Sequence, residues 1–99
     1  MNSKHIRAKM EPVFRKYFVS FAGVFGSVAR GETRPDSDLD LFVEFSKTPS
    51  LVQLIRFEDE LKQAVEREVD VVVKGSEKSF IKQAISKDLI PIYGPRPAV

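Results

Sequence analysis

The stretch from Asp38 to Phe45 constrains the fold most, because its polar and apolar residues alternate. Successive side chains of a β-strand point to opposite faces of the sheet. One face would carry Leu39, Leu41, Val43 and Phe45, and the other Asp38, Asp40, Phe42 and Glu44. A strand with one apolar face must bury that face against another layer of structure. The chain therefore needs helices or a second sheet to cover it.

The rest of the chain alternates between segments with helical spacing and short β-rich segments. Helices are predicted over residues 3–18, with Phe18 on the apolar face, over 51–67, and after a cap at Ser76. Strands are predicted over 19–25, 69–74 and 89–93. Pro12 predicts a kink or restart in the first helix, Ser50 and Gln53 form a capping box, and Pro91 favours an edge strand. This order predicts an α+β fold, an α/β sandwich in which helices flank a small sheet of about four strands.

Length and composition limit the chemistry that the chain can support. We expect 99 residues to form one domain, 1–99, with a flexible tail over 94–99. The absence of Cys excludes disulfides and thiolate zinc sites, and a single His cannot build a multi-histidine centre. Any metal must be held by oxygen. No apolar run is long enough to cross a bilayer and the N-terminus lacks a secretory stretch, so a cytoplasmic protein without membrane contact is expected.

Charge is distributed unevenly along the sequence. The net charge is only +2, but residues 35–73 are mainly acidic and both flanks are mainly basic. Direct nucleic-acid binding is not expected, because no cluster of Lys and Arg is interleaved with aromatic residues. The basic flanks are interpreted first as solvated helix faces, and second as attraction for an acidic protein or a polyphosphate.

Asp38 and Asp40 form a candidate metal site. At positions i and i+2 of a strand they project to the same side, about 7 Å apart, and two like charges this close repel each other. Carboxylates are the ligands that Mg²⁺ prefers. Asp70 is a third candidate ligand, because an aspartate within the β-branched run 69–73 would be costly to bury without compensation. The alternative for Asp38 and Asp40 is two solvated aspartates on an exposed strand face. The alternative for Asp70 is a strand-end residue that faces water.

A glycine-serine turn precedes these aspartates and is a candidate phosphate site. Gly26 follows a predicted strand, and Ser27 is predicted to cap one helical turn that presents free backbone N–H groups. Arg30, one turn later, could clamp phosphate, whereas Arg34 is more simply a surface residue. The sequence contains neither a P-loop nor a dinucleotide fingerprint, and a Ser/His triad is unsupported.

These motifs together resemble a known family. Gly26-Ser27, ten intervening residues and then Asp38-Leu39-Asp40, with Arg30-Gly31-Glu32 and Ser37 between them, are similar to the signature of the minimal nucleotidyltransferases. These enzymes belong to the DNA polymerase beta-like superfamily. The similarity also covers the initial helix with its proline and the later Val-Asp-Val-Val segment. It implies a mixed sheet flanked by helices.

The resemblance also implies an activity. Members transfer a nucleoside monophosphate from ATP or another nucleoside triphosphate to a hydroxyl group, with two Mg²⁺ ions, for which Mn²⁺ is an alternative. Asp38 and Asp40 would ligate both metals, and Asp70 would hold one and could take the acceptor's proton. The donor triphosphate would be bound by the residues Gly26, Ser27, Arg30 and Ser37. Minimal members resemble antitoxins that add AMP to a tyrosine of a HEPN-type toxin partner.

Two other functions remain open from the sequence alone. The chain could be a binding module that neutralises its partner by occlusion, with a vestigial or regulatory nucleotide site. It could also be a small-molecule nucleotidyltransferase that works as a homodimer, with the acceptor pocket between the subunits. The lack of room for a separate acceptor-binding domain favours the protein-partner interpretation.

Overall fold

The computed structural model describes residues 3–31, 38–76 and 78–94. Their elements, in chain order, are α1 (Ser3–Lys16), β1 (Val19–Phe25), α2 (Gly26–Ala29), β2 (Leu39–Phe45), α3 (Leu51–Val65), β3 (Val69–Val73), α4 (Ser79–Asp88) and β4 (Ile90–Tyr93). In this part of the chain no helix is long and apolar enough to span a bilayer. The tail predicted over 94–99 lies, except for Gly94, outside the described residues.

The four strands form one mixed sheet in the order β3-β2-β1-β4. β1 pairs antiparallel with both β2 and β4, whereas β2 and β3 are parallel. The predicted α+β sandwich with a mixed four-stranded sheet is therefore confirmed, and Pro91 lies on an edge strand as expected. Because β2 and β3 are parallel to each other and antiparallel to β1, both begin at the end of the sheet where β1 finishes. We call this end of the sheet, where Phe25, Leu39 and Val69 lie, the carboxylate edge. This topology brings three strand termini to one place.

The apolar face of β2 packs against α1 and α3, as the alternation predicts. Leu39, Leu41 and Val43 are fully buried there. They contact a cluster contributed by both helices and the neighbouring strands: Ile6, Met10, Phe14, Val24, Phe57, Leu61 and Val65. This cluster is the main core and fixes which face of β2 carries the carboxylates.

A smaller apolar cluster lies on the opposite face of the sheet. Phe21, Phe25 and Phe42 are buried there against α4 residues that include Ile81 and Ile85. Phe42 lies on the same strand face as Asp40. Helix α4 therefore covers the middle of the carboxylate face, and its last residues reach the edge where β2 begins.

Local signals in the helices are confirmed in part. The Ser50 and Gln53 capping box begins α3, with both reciprocal hydrogen bonds present. Pro12 lies inside α1, which remains one continuous helix instead of two pieces. Phe18 was expected on the apolar face of this helix, but it follows the helix with φ of 61° and is 53% exposed. The helix ends at Lys16, so Phe18 cannot follow the helical spacing into the core.

The predicted capping role of Ser76 is wrong. Helix α4 begins at Ser79, and its N-cap residue, Lys78, makes no side-chain cap hydrogen bond. The Ser76 hydroxyl instead donates to the carbonyl of Val73 at 2.7 Å. That bond closes the turn after β3, so the hydroxyl is engaged before the helix starts.

Candidate active site

Gly26 joins β1 to α2 and lies against the carboxylate of Asp40. Gly26 has φ of 74°, and a Cβ atom built on it would overlap Asp40 Oδ2. The two strands bring them together, because Phe25 pairs with Asp40 across β1 and β2. The single helical turn is confirmed, but it begins at Gly26, so Ser27 lies within the turn and not at its N-cap. The candidate phosphate turn thus adjoins a candidate metal ligand.

Asp40 and Asp70 lie directly opposite each other in the parallel pairing of β2 with β3. Adjacent strands are about 4.8 Å apart, and residues in register project to the same face. Asp70 is exposed, since β3 is the edge strand, so the burial cost expected for it does not arise. Asp38 is exposed and lies one residue before β2. The three aspartates that the sequence singles out therefore lie at the same end of the sheet, and two of them, Asp40 and Asp70, are direct neighbours.

The electrostatics of Asp40 show that negative charge is in excess at this edge. Burial raises the pKa of Asp40 above its usual range, and the charges of Asp70 and Asp38 raise it further. The Arg30 guanidinium acts in the opposite direction, but the pKa stays raised. The arrangement would be stabilised by an additional cation.

The carboxylates fit a divalent cation without forming a closed site. Among residues 3–31, 38–76 and 78–94, no three acidic or histidine side chains converge closely enough to hold a metal by themselves. In addition to burial, the carboxylates of Asp70 and Asp38 nevertheless raise the pKa of Asp40, so the three groups repel one another. Carboxylate oxygens are the ligands that Mg²⁺ binds together with water and phosphate oxygens. Gly26, without a Cβ, leaves space for the Asp40 carboxylate. The ligand set Asp38, Asp40 and Asp70 stays a prediction.

Arg30 follows α2 and forms an ion pair that sequence reasoning missed. Its Nη1 donates to Asp88 Oδ2 at 2.9 Å, and the Asp88 side chain is only 11% exposed. Asp88 is the last residue of α4, where the helix dipole disfavours a negative charge. The sequence signal for this ion pair was an aspartate in the last turn of a helix, but only the fold shows that its partner is Arg30.

Two further residues considered in the sequence fall outside the described part of the chain, and one acid lies away from the site. Ser37 and Arg34 belong to the segment 32–37, which the structure does not describe. Glu44 is on the same strand face as Asp40 but near the other end of β2, where its Oε1 accepts from Lys74 Nζ at 3.1 Å. Glu44 therefore lies towards the end of β2 that is remote from Asp38 and Asp40.

A cavity elsewhere in the molecule does not include the candidate site. It has a volume of about 500 Å³ and its lining includes Tyr17, Phe18, Lys47, Arg56 and Asp59. Phe18 precedes β1, so this cavity lies at the opposite end of the strands from Gly26. The cavity is therefore separate from the candidate site.

Comparison with known families identifies the family of this chain. Residues 8–96 match the family described as polymerase beta, nucleotidyltransferase. The chain belongs to this nucleotidyltransferase family. The match begins within α1 and covers all four strands, and so includes both the glycine turn and the aspartate strands. The membership expected from the resemblance is confirmed.

Curated relatives of similar length are named as protein adenylyltransferases. Protein adenylyltransferase MntA of Thermococcus cleftensis is 35% identical over 85 residues, which cover 86% of each chain. A protein of Methanocaldococcus jannaschii, named as a candidate protein adenylyltransferase, is 36% identical over 92 residues. That match covers 93% of this chain and 99% of the relative. The family assignment therefore extends over nearly the full length of both proteins.

Solved structures share the fold. The structure of a candidate minimal nucleotidyltransferase is 33% identical, with a TM-score of 0.74, over 92% of this chain and 96% of that one. A toxin–antitoxin structure with AMP-PNP has a TM-score of 0.78 at 21% identity, over 91% of this chain and 74% of its own. A complex of the tri-AMPylated Shewanella oneidensis HEPN toxin with its MNT antitoxin has a TM-score of 0.72 at 18% identity, over 95% and 74%. The last two matches show likeness of fold.

Proposed function

We propose that the chain is a protein adenylyltransferase that moves AMP from ATP to a tyrosine of a HEPN-type toxin, and that it acts as the antitoxin of the pair. The observation that carries this proposal is the pairing of Asp40 with Asp70 beside the glycine turn, where negative charge is in excess. The names of the relatives support protein adenylylation, and the fold likeness to antitoxin complexes supports the partner class.

In the proposed reaction the tyrosine hydroxyl oxygen attacks the α-phosphorus of ATP. A phosphorus–oxygen bond to the tyrosine forms, the bond between the α- and β-phosphates breaks, and pyrophosphate leaves. The hydroxyl proton passes to a carboxylate or to water, and in our proposal the exposed carboxylate of Asp70 receives it. In our proposal Gly26, Ser27, Arg30 and Ser37 hold the triphosphate.

Asp38, Asp40 and Asp70 would hold the divalent cations, two Mg²⁺ or Mn²⁺ ions. When bound, such a pair supplies charge stabilisation for both the attacking and the leaving oxygens of an in-line displacement. The contribution of the chain is the placement of the carboxylates by two parallel strands and of the turn by β1. Because the donor is ATP, we place this activity in the cytoplasm.

Intact mass measurement on the partner protein tests this proposal. The chain is incubated with ATP, Mg²⁺ and the protein encoded beside it, and we expect a mass increase of one AMP or a few on a tyrosine. The double variant Asp38→Asn and Asp40→Asn should abolish the increase. Asp59→Asn should not, because Asp59 is an exposed acid on α3 that lines the cavity near Phe18, away from the candidate site. Unchanged labelling by the double variant would refute the proposal.

The same variants separate the two other functions. If the double variant neutralises the toxin as well as the wild type does, then the chain acts by occlusion. If an antibiotic or sugar is labelled without any protein partner, and the chain sediments as a dimer, then the small-molecule homodimer interpretation is correct. Each result contradicts toxin adenylylation in a different way.

A further inference from the structure

We propose that Asp88 is a positioning residue that holds the Arg30 guanidinium beside the glycine turn, α2, where it can bind the triphosphate of the donor. Asp88 itself touches no substrate in this proposal and acts only through Arg30. The inference rests on the proposed function, since it requires that ATP bind at this edge of the sheet.

The ion pair connects the turn after β1 to helix α4, which packs on the same face of the sheet as Asp40. Arg30 is bound at both ends: its backbone N–H donates to the carbonyl of Gly26 at 3.1 Å, and its Nη1 donates to Asp88 Oδ2 at 2.9 Å. Asp88 ends the helix that covers Phe42 and its neighbours, so its position is fixed by a packed cluster. The backbone of Arg30 is therefore anchored to the turn after β1, and its guanidinium is bonded to the last residue of α4.

Helix stability does not explain an acid at this position. The C-terminal end of a helix carries partial negative charge, so a carboxylate there is unfavourable. The Asp88 side chain is also largely buried, and burial of a charge is costly unless it is paired. The bond to Arg30 offsets both costs, so the pair behaves as a unit.

Arg30 lies beside the site as well as against Asp88. Its backbone N–H is bonded to the carbonyl of Gly26, and Gly26 lies against the Asp40 carboxylate. The Arg30 side chain is 44% exposed, so a ligand at this edge can reach it. An arginine is long and flexible, and holding it in place beforehand reduces the rotamer freedom lost when it binds phosphate. Such preorganisation would strengthen nucleotide binding more than the chemical step.

Equilibrium binding of a fluorescent ATP analogue, measured with and without Mg²⁺, tests this role. Asp88→Asn should weaken binding about tenfold in the wild-type background. In the Arg30→Ala background the same change should have no further effect, because residues that act as a unit are not additive. Asp88→Glu, which keeps the carboxylate, should recover most of the binding. Glu11→Gln, which breaks the exposed 2.7 Å pair with Arg15, is the matched control and should bind as the wild type does.

Steady-state kinetics give a reading that a merely structural role would not produce. Asp88→Asn should raise the KM for ATP about tenfold and leave kcat within about twofold. If Asp88→Asn weakens binding equally with and without Arg30, or has no effect on binding, the inference is overturned. If Asp88→Asn does not fold, NMR of the Arg30 N–H signals in the wild type decides: restricted rotation of the guanidinium supports the inference, and free rotation overturns it.

The outcomes distinguish this inference from the proposed function. Wild-type protein that binds no ATP would end both. Binding that is present, is weakened by Arg30→Ala and is unaffected by Asp88→Asn would end the positioning role alone.

Discussion

Gly26 and Asp40 are in contact across β1 and β2, and the space that a Cβ on Gly26 would fill is occupied by Asp40 Oδ2. Gly26 is therefore required for two reasons, its positive φ of 74° and the missing side chain. Gly31 shares only the first, since its φ is 77° and nothing lies within 4 Å of a Cβ built there. This pair of glycines separates backbone strain from crowding of the site.

Gly26→Ala is expected to lower the rate of AMP transfer about a hundredfold, because displacement of a positioned group by about 1 Å costs that much. Gly31→Ala should keep transfer near the wild-type level. Both variants should lose about 1 kcal/mol of unfolding free energy from the left-handed backbone. Urea unfolding and partner labelling measure the two effects, and equal rates for the two variants would show that the contact with Asp40 is unimportant.

Asp40→Asn is expected to stabilise the protein at neutral pH while it abolishes transfer. Burial, then Asp70 and Asp38, raise the pKa of Asp40 above 3.8 in the folded chain, so the folded state binds this proton more tightly than the unfolded state does. Ionised Asp40 therefore costs stability above its folded pKa, and the cost disappears below the unfolded value. Because the carboxylate is partly solvated, the gain at pH 7 should stay below about 1 kcal/mol.

Urea unfolding of Asp40→Asn and the wild type in metal-free buffer measures this gain. The difference should be positive at pH 7 and should vanish near about pH 3. Asp59→Asn serves as the control for loss of one exposed acid. A gain of the same size at both pH values would show that the electrostatic origin is wrong.

Glu44→Gln is expected to leave AMP transfer within about twofold of the wild type. Glu44 shares a strand face with Asp40, but it is bound to Lys74 and lies towards the opposite end of β2. Glu44→Gln is therefore a control for the loss of any acid on this face, because Glu44 lies on the same strand as Asp40 and on the same side of it. A loss comparable to that of Asp40→Asn, measured by partner labelling, would place the metal site further along the strand than the structure indicates.

Tyr17→Phe is expected to lower Tm by a few degrees at pH 7. The Tyr17 hydroxyl donates to Glu60, and Lys16 Nζ donates to the same carboxylate at 2.9 Å, so this network joins the end of α1 to α3. The hydrogen bond from Tyr17, followed by that from Lys16, lowers the pKa of Glu60 below 4.5. The stabilisation is therefore present above the unfolded pKa of Glu60 and is lost as the pH falls through the folded pKa.

Differential scanning calorimetry from pH 7 to about pH 3 tests this dependence. The difference in Tm between the wild type and Tyr17→Phe should shrink as Glu60 becomes protonated. Glu11→Gln, which removes an exposed pair within α1 alone, should change Tm little. A pH-independent difference would indicate that packing of the ring, and not the hydrogen bond, joins the two helices.

Features that depend on local sequence were predicted well. The alternation in β2 fixes which residues are buried, because a strand has a period of two whatever its neighbours are, and Leu39 and Leu41 are fully buried as expected. The capping box of α3 is equally local. The aspartates of the candidate site were identified by the same kind of reasoning, from spacing and residue type.

Features that depend on strand order and on the ends of helices could not be predicted in the same way. Asp70 was expected to be costly to bury, but the chain places β3 at the edge, which no local pattern determines. Asp88 meets Arg30 across 58 positions of sequence, a contact that requires the packing of α4 on the sheet. Phe18 leaves the apolar stripe because α1 ends two residues earlier than the periodicity indicates.

The mixed topology of the sheet divides the connections of the chain into two groups. β1 ends, and β2 and β3 begin, at the carboxylate edge, whereas β2 and β3 continue into their following connections, after Phe45 and after Val73, at the opposite end of the sheet. Additional sequence at those distant connections would extend the molecule without touching the chemistry. A lineage built on this scaffold could therefore acquire new acceptor-binding parts by insertion there, while the candidate site stayed unaltered.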